Sequence, residues 1–118
     1  MKTHRELHVW NKAMDLALEV YALARVLPKE EQHRLTAQLI KAAISVPANI
    51  GEGYKRGTRK DYANFISIAR GSCAEVETFL LLAEGAGLAH PDRLSRALVL
   101  ADEVSRMLTR LRVRLIQP

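Results

Sequence analysis

The sequence predicts an all-α protein, an up-down-up-down antiparallel four-helix bundle. Apolar residues recur at alternating three- and four-residue spacing through four long segments, the pattern of a buried helical stripe. No segment keeps the period-two alternation of a half-buried strand. The breaks between segments are short, and short connections make consecutive helices antiparallel neighbours.

The first helix is expected over about 6–27, with a seam of Trp10, Ala13, Ala17, Val20, Ala24 and Leu27. Leu27-Pro28-Lys29-Glu30-Glu31 closes it and opens the second, because proline and acidic residues suit a first turn. The second helix, 29–54, carries Leu35, Leu39, Ala42 and Val46, with Gly53 and Gly57 as stops. Thr58-Arg59-Lys60-Asp61 reads as a capping box with Asp in place of Glu or Gln. It opens the third helix, 59–84, whose seam is Tyr62, Phe65, Ala69, Ser72, Val76, Phe79 and Ala83. Gly85 and Gly87 stop that helix, and Pro91-Asp92 opens the fourth, 91–116, with Leu94, Ala97, Ala101, Val104, Leu108, Leu111 and Leu115. The four make one domain over 1–118. Leu16, Leu23, Leu81, Leu82, Leu100, Met107 and Val113 lie off these seams. They belong either to a wider core stripe or to a second face buried by self-association.

Composition excludes several classes. With 118 residues, 48% apolar and 26% charged, the chain has room for a single core. Its one cysteine cannot build an internal disulfide framework. The N-terminal residues are charged throughout, with no apolar core of a signal peptide, and no run of about 18 apolar residues offers a membrane span. The expected compartment is the cytoplasm. A net charge of +5 favours anionic partners.

Few motifs call for chemistry. A di-iron bundle needs two Glu-x-x-His pairs and two further Glu, but only Glu30-Glu31-Gln32-His33 fits. His4 and His8 have i,i+4 spacing without a third ligand nearby, and Cys73 reads as a small buried residue. No metal or cofactor is expected. Gly51-Glu52-Gly53-Tyr54-Lys55-Arg56-Gly57-Thr58 lacks the Gly-Lys-Ser/Thr ending of a nucleotide-hydrolysing loop and follows a helix rather than a strand.

That loop is still a glycine-containing turn into a helix N-terminus, where free N–H groups suit a phosphate. Lys55, Arg56, Arg59 and Lys60 crowd it with positive charge, and Tyr54 stands beside them to stack on an unpaired base. A solvated, well-capped loop is the plain alternative. A second basic stretch, Arg106, Arg110, Arg112 and Arg114, has no acid after Glu103, although arginine there also complements a helix dipole. Pro47 interrupts the second helix and frees the carbonyl of Ala43, so a kink is expected. Asn49 and Glu52 follow at once. Such rule-breaking marks either an assembly site or a structural knot in which Asn49 bonds freed backbone groups.

His8-Val9-Trp10-Asn11-Lys12-Ala13-Met14-Asp15-Leu16 resembles the opening of the bundle family associated with intervening sequences of bacterial 23S ribosomal RNA genes. Ala42-Ala43-Ile44-Ser45-Val46-Pro47-Ala48-Asn49-Ile50-Gly51-Glu52-Gly53 resembles its most distinctive segment. Phe65, Ile68-Ala69-Arg70-Gly71-Ser72, Glu75 and Glu77-Thr78 resemble its third helix. The likeness covers roughly 7–88. Gly51 departs from the usual Ala, Lys41 from a common Arg, and Val76 from a common Leu. The resemblance implies a small cytoplasmic bacterial bundle, often a homopentamer around an axial opening, with no enzyme activity. More distantly, the chain is similar in architecture to the accessory protein of diversity-generating retroelements, which works with a reverse transcriptase and nucleic acid.

The function expected from these observations is a non-catalytic oligomeric scaffold that binds RNA, with DNA as the alternative polymer. Lys55, Arg56, Arg59 and Lys60 would hold phosphates, Tyr54 would stack, and Arg70 would join them if it faces outward. Pro47, Asn49, Glu52, Gly53, Ser72 and Glu75 would form the motif or an interface. In the competing reading the chain is a protein-interaction adaptor, with Asn49, Glu52, Ser72 and Glu75 in its docking surface. An enzyme using Glu52 or Glu75 as acid or base has the least support, because no complete constellation accompanies either.

Overall fold

Residues 7–118 are described in a computed structural model. Among them are four α-helices: α1 (His8–Ala24), α2 (Leu35–Tyr54), α3 (Arg59–Gly85) and α4 (Pro91–Ile116). Each packs against two others, α1 on α2 and α4, α3 on α2 and α4, which is the square of an up-down-up-down bundle. The bundle measures 46 × 21 × 20 Å.

The core is aliphatic. Leu16 and Leu23 of α1, Leu39 and Ile50 of α2, Ile66 and Leu80 of α3, and Leu94 and Leu108 of α4 are fully buried. Burial of each such side chain is worth about 1.5–3 kcal/mol. The stripe is wider than the narrow seams, and on two helices it is rotated. On α1, Val9, Leu16 and Leu23 are buried, whereas Trp10 and Ala24 sit at its edge. On α3, Ala63, Ile66, Cys73 and Leu80 are buried, and Tyr62, Phe65 and Phe79 are half-buried flanks. The off-seam residues divide into two groups. Leu16, Leu23 and Leu100 widen the core, while Leu81, Leu82 and Val113 are exposed.

The connection between α1 and α2 differs from the expectation. α1 stops at Ala24, and Lys29–Glu31 form a 3-10 turn rather than the first turn of α2. The chain breaks at Arg34, with φ −121° and ψ −109°, before α2 begins at Leu35. The acidic residues still serve a helix start, but from outside it. A Glu31 carboxylate oxygen accepts from the Leu35 N–H at 3.4 Å, and the other from the Arg34 guanidinium at 2.8 Å. Glu31 thus serves a helix that begins at Leu35 rather than at residue 29. The expected start of α1 at residue 6 lies outside the described residues, as does His4.

The other boundaries follow their punctuation. Thr58 Oγ1 accepts from the Asp61 N–H at 3.1 Å, and His90 Nδ1 accepts from the Asp92 N–H at 3.1 Å ahead of α4. After α3, Gly87 takes φ +68°, the Leu88 N–H reaches the Ala83 carbonyl, and the Gly87 N–H reaches that of Glu84. This bonding pattern is the Schellman stop. Gly53 does not end α2; it lies buried within it, where α2 and α3 approach each other. α2 also passes through Pro47 without ending.

Candidate nucleic-acid interface

Antiparallel topology brings together two basic stretches that are distant in sequence. α2 ends at Tyr54, α3 starts at Arg59 and α4 finishes at Ile116, so all three termini share one end of the bundle. Direct bonds hold them there. Arg59 donates through its guanidinium to the carbonyls of Arg114 and Leu115, the unsatisfied C-terminal acceptors of α4. Arg112 Nε donates to Ser67 Oγ at 2.6 Å, tying α4 to α3 a second time.

The basic residues at this end do different things. Arg56 pairs with Glu52 at 3.6 Å, and its guanidinium lies 4.9 Å from the centre of the Phe65 ring. Arg59 is occupied by α4 carbonyls. Lys55, Lys60 and Arg110 are exposed, and among the described residues none of them has an ion pair or side-chain hydrogen bond. With the Arg114 side chain, likewise exposed and unpaired among the described residues, these are the cations at this end most available to an outside anion. Arg70 is half-buried about three turns along α3 from Arg59, away from this cluster.

Tyr54 is half-buried rather than presented to solvent, and its ring meets that of Tyr62 edge-on at 5.8 Å and 79°. Tyr62 in turn lines a cavity of about 260 Å³ between the start of α1, the first turn of α3 and the last turns of α4. Val9, Met107 and Leu111 also line it, with Arg110 and Arg114 on exposed positions at its rim. Burial raises the Tyr62 phenol above its usual range, Tyr54 adds to the rise, and nearby Arg114 opposes it. A second groove, about 430 Å³, runs on the other side of α4 between Arg59, Lys60, Asn64 and Arg112. Tyr62, Met107 and Leu111 carry no functional signal in the sequence. The register of an up-down bundle, which opposes residues near 60 to residues near 110, is the signal that finds them.

The motif residues do not form one site. Asn49 Nδ2 donates to the Ser45 carbonyl at 2.8 Å and to Ser45 Oγ at 2.9 Å, and Ser45 Oγ shares a 2.8 Å bond with Ser72 Oγ. This chain of bonds joins α2 to α3 with Ser72 only 7% exposed. The carbonyl Asn49 reaches belongs to Ser45, one turn before it, and not to Ala43, which Pro47 leaves without an N–H. Beside this chain Lys41 and Glu75 line a recess of about 140 Å³ facing α3. Pro47 and Glu52 lie instead in a groove of about 430 Å³ toward α1, with Trp10, Met14 and Ile44.

Cys73 is buried, and its Sγ donates to the Ala101 carbonyl at 3.2 Å. Burial, with Glu77 and Asp102 nearby, pushes the thiol up to about 12. Among the described residues no cluster of His, Cys, Asp and Glu could hold a metal ion, and no helix is long and apolar enough to cross a membrane.

Comparison with known proteins agrees with this architecture. A crystal structure from Bacteroides thetaiotaomicron, described as a protein of unknown function from the S23 ribosomal protein family, superposes with a TM-score of 0.81. It is 22% identical in sequence, and the match covers 87% of this chain and 96% of that one. No curated protein matches. The family model of the 23S rRNA-intervening sequence protein matches residues 5–110, nearly the whole bundle including the Pro47–Gly53 segment and both basic stretches up to Arg110. The chain therefore belongs to the 23S rRNA-intervening sequence protein family.

Proposed function

We propose that the chain is a non-catalytic, self-associating scaffold that binds RNA through the basic end of its bundle, and that it works in the cytoplasm. The observation that carries this reading is the convergence of Lys55 and Lys60 with Arg110, Arg112 and Arg114 at one end, whereas Arg106 is paired with Asp102. Each cation that neutralises a phosphate releases counterions, so clustered cations give steeply salt-dependent binding. Family membership supports RNA over DNA. The non-catalytic part is supported by Cys73, whose thiol is buried and protonated, and by Glu52, whose carboxylate is paired with Arg56.

Self-association is supported by apolar side chains left in solvent. Leu18, Tyr21 and Ile44 are exposed on α1 and α2 near the Trp10–Pro47 groove, and Ile68, Leu82 and Val99 on α3 and α4. A second copy covering either face would remove this surface from water. A homopentamer is the assembly the family likeness implies, and mass by light scattering tests it.

The RNA reading is tested with Lys55, Lys60 and Arg110 changed together to Ala, leaving the Arg59 bonds intact. Binding to a labelled structured RNA should weaken. The slope of log affinity against log salt should flatten by about 0.7–0.9 for each phosphate that is no longer neutralised. An unchanged slope in a folded variant would remove these residues from the site. The adaptor reading keeps Glu52 in the apolar groove, apart from Ser72 and Glu75 between α2 and α3, and it gains if a partner stays bound to the purified protein after nuclease treatment.

A further inference from the structure

The geometry points to the cavity beneath Arg110 and Arg114 as a pocket for one unpaired nucleobase, with its phosphate held at the arginine rim. This inference rests on the RNA reading and narrows it to RNA that offers a looped-out or single-stranded nucleotide. The size selects a single ring system. About 260 Å³ holds roughly nine waters at ~30 Å³ each and falls below the ~300–1,000 Å³ of pockets for larger ligands. A base inside a duplex cannot reach in.

The lining suits a flat, polarisable ring. Met107 brings a thioether and Leu111 an aliphatic surface, both only half-buried, and Val9 lies below them. The Tyr62 ring forms a wall whose orientation is held by the edge-on contact with Tyr54. Tyr54 thus acts through Tyr62 as a positioning residue and does not itself stack. The rim supplies the complementary charge. Arg110 and Arg114 stand one turn apart on α4, both exposed, and neither side chain has an ion pair among the described residues. An apolar cup under paired guanidiniums matches a base joined to a phosphate.

The test uses three probes: a hairpin RNA with 2-aminopurine at an unpaired loop position, a blunt duplex of the same length, and AMP. The protein should bind the hairpin at least about tenfold tighter than the duplex, with quenching of the loop fluorophore. Met107→Trp, which fills the cup, should erase that preference while leaving duplex affinity and its salt slope unchanged. Equal binding of hairpin and duplex, insensitive to Met107→Trp, overturns the pocket and leaves the phosphate reading standing. Failure of the folded protein to bind either RNA at low salt overturns both. AMP binding that Met107→Trp abolishes, without a hairpin preference, supports the nucleotide pocket and overturns RNA as its source. If Met107→Trp reduces helicity, photocrosslinking of wild-type protein to 4-thiouridine at the loop position decides. Attachment at Tyr62 or within 107–111 supports the pocket, and attachment only elsewhere overturns it.

Discussion

Gly53 of α2 faces Phe65 of α3 so closely that a methyl carbon on the glycine would stand 2.6 Å from the phenylalanine Cβ. It would also meet the Tyr62 carbonyl oxygen at 3.3 Å. The two helices leave a tight loop here and have not yet separated, so the contact involves atoms fixed by backbone rather than flexible tips. Gly53→Ala should destabilise the protein by about 1–3 kcal/mol, the usual range for overpacking. Gly71 is the internal control. It lies exposed within α3 with open space where a Cβ would go, and Gly71→Ala should stabilise by about 0.5–1 kcal/mol. Urea unfolding followed by helicity measures both, and equal signs would contradict the packing described.

Thr36 has the opposite problem. Its hydroxyl is buried without a hydrogen-bond partner near the start of α2. Replacing a stranded hydroxyl by a methyl group of similar shape removes a desolvation cost, so Thr36→Val should raise stability by about 1 kcal/mol. A thermal melt that falls would show that Thr36 has a partner in solution.

Arg59 should behave as a latch. Its bonds to the Arg114 and Leu115 carbonyls hold the last turn of α4 against the first turn of α3. Arg59→Ala should lower global stability by no more than about 1 kcal/mol. It should speed hydrogen exchange of the amides over 112–116 while exchange in α1 stays unchanged. Uniform acceleration throughout the bundle would count against a local role.

The Cys73 thiol gives a pH signature. In the folded chain it keeps its proton to about 12, against a usual value of 9.0, chiefly because it is buried. Between those values the unfolded chain releases a proton that the folded chain retains, so the unfolded state binds fewer protons and stability falls as pH rises. The contribution is complete below about 9 and is lost progressively toward about 12. Tyr62, also raised, acts in the same direction at the upper end of this window. Cys73→Ala should flatten the lower part of the decline, and native Cys73 should resist thiol reagents at pH 8 until the protein unfolds.

Most of the fold is legible in the sequence because a buried helical stripe leaves its period there, and glycine, proline and capping residues mark where each stripe stops. The differences are local and physical. Trp10 and Phe65 draw the seams toward large side chains, yet a narrow core takes Val9, Leu16 and Ile66 and leaves rings at its edges. Glu30 and Glu31 read as a first turn, because an acid outside a helix and one inside it have the same composition. The basic loop of Lys55–Lys60 is visible, and so are the α4 arginines. Their meeting is not visible as a motif, because it follows from antiparallel register. The cup under Arg110 is invisible for the same reason, being shared by three helices.

The gathering of like charges at one end has a further consequence for the free protein. Lys55, Lys60, Arg110 and Arg114 share this end as exposed like charges, and their repulsion is screened over about 10 Å at 0.1 M salt. Unfolding relieves that repulsion by scattering residues near 60 away from residues near 110. Dilute buffer therefore strains the fold at its basic end, and mobile anions relax it. Anions that gather at this end therefore steady the fold as well as bind to it.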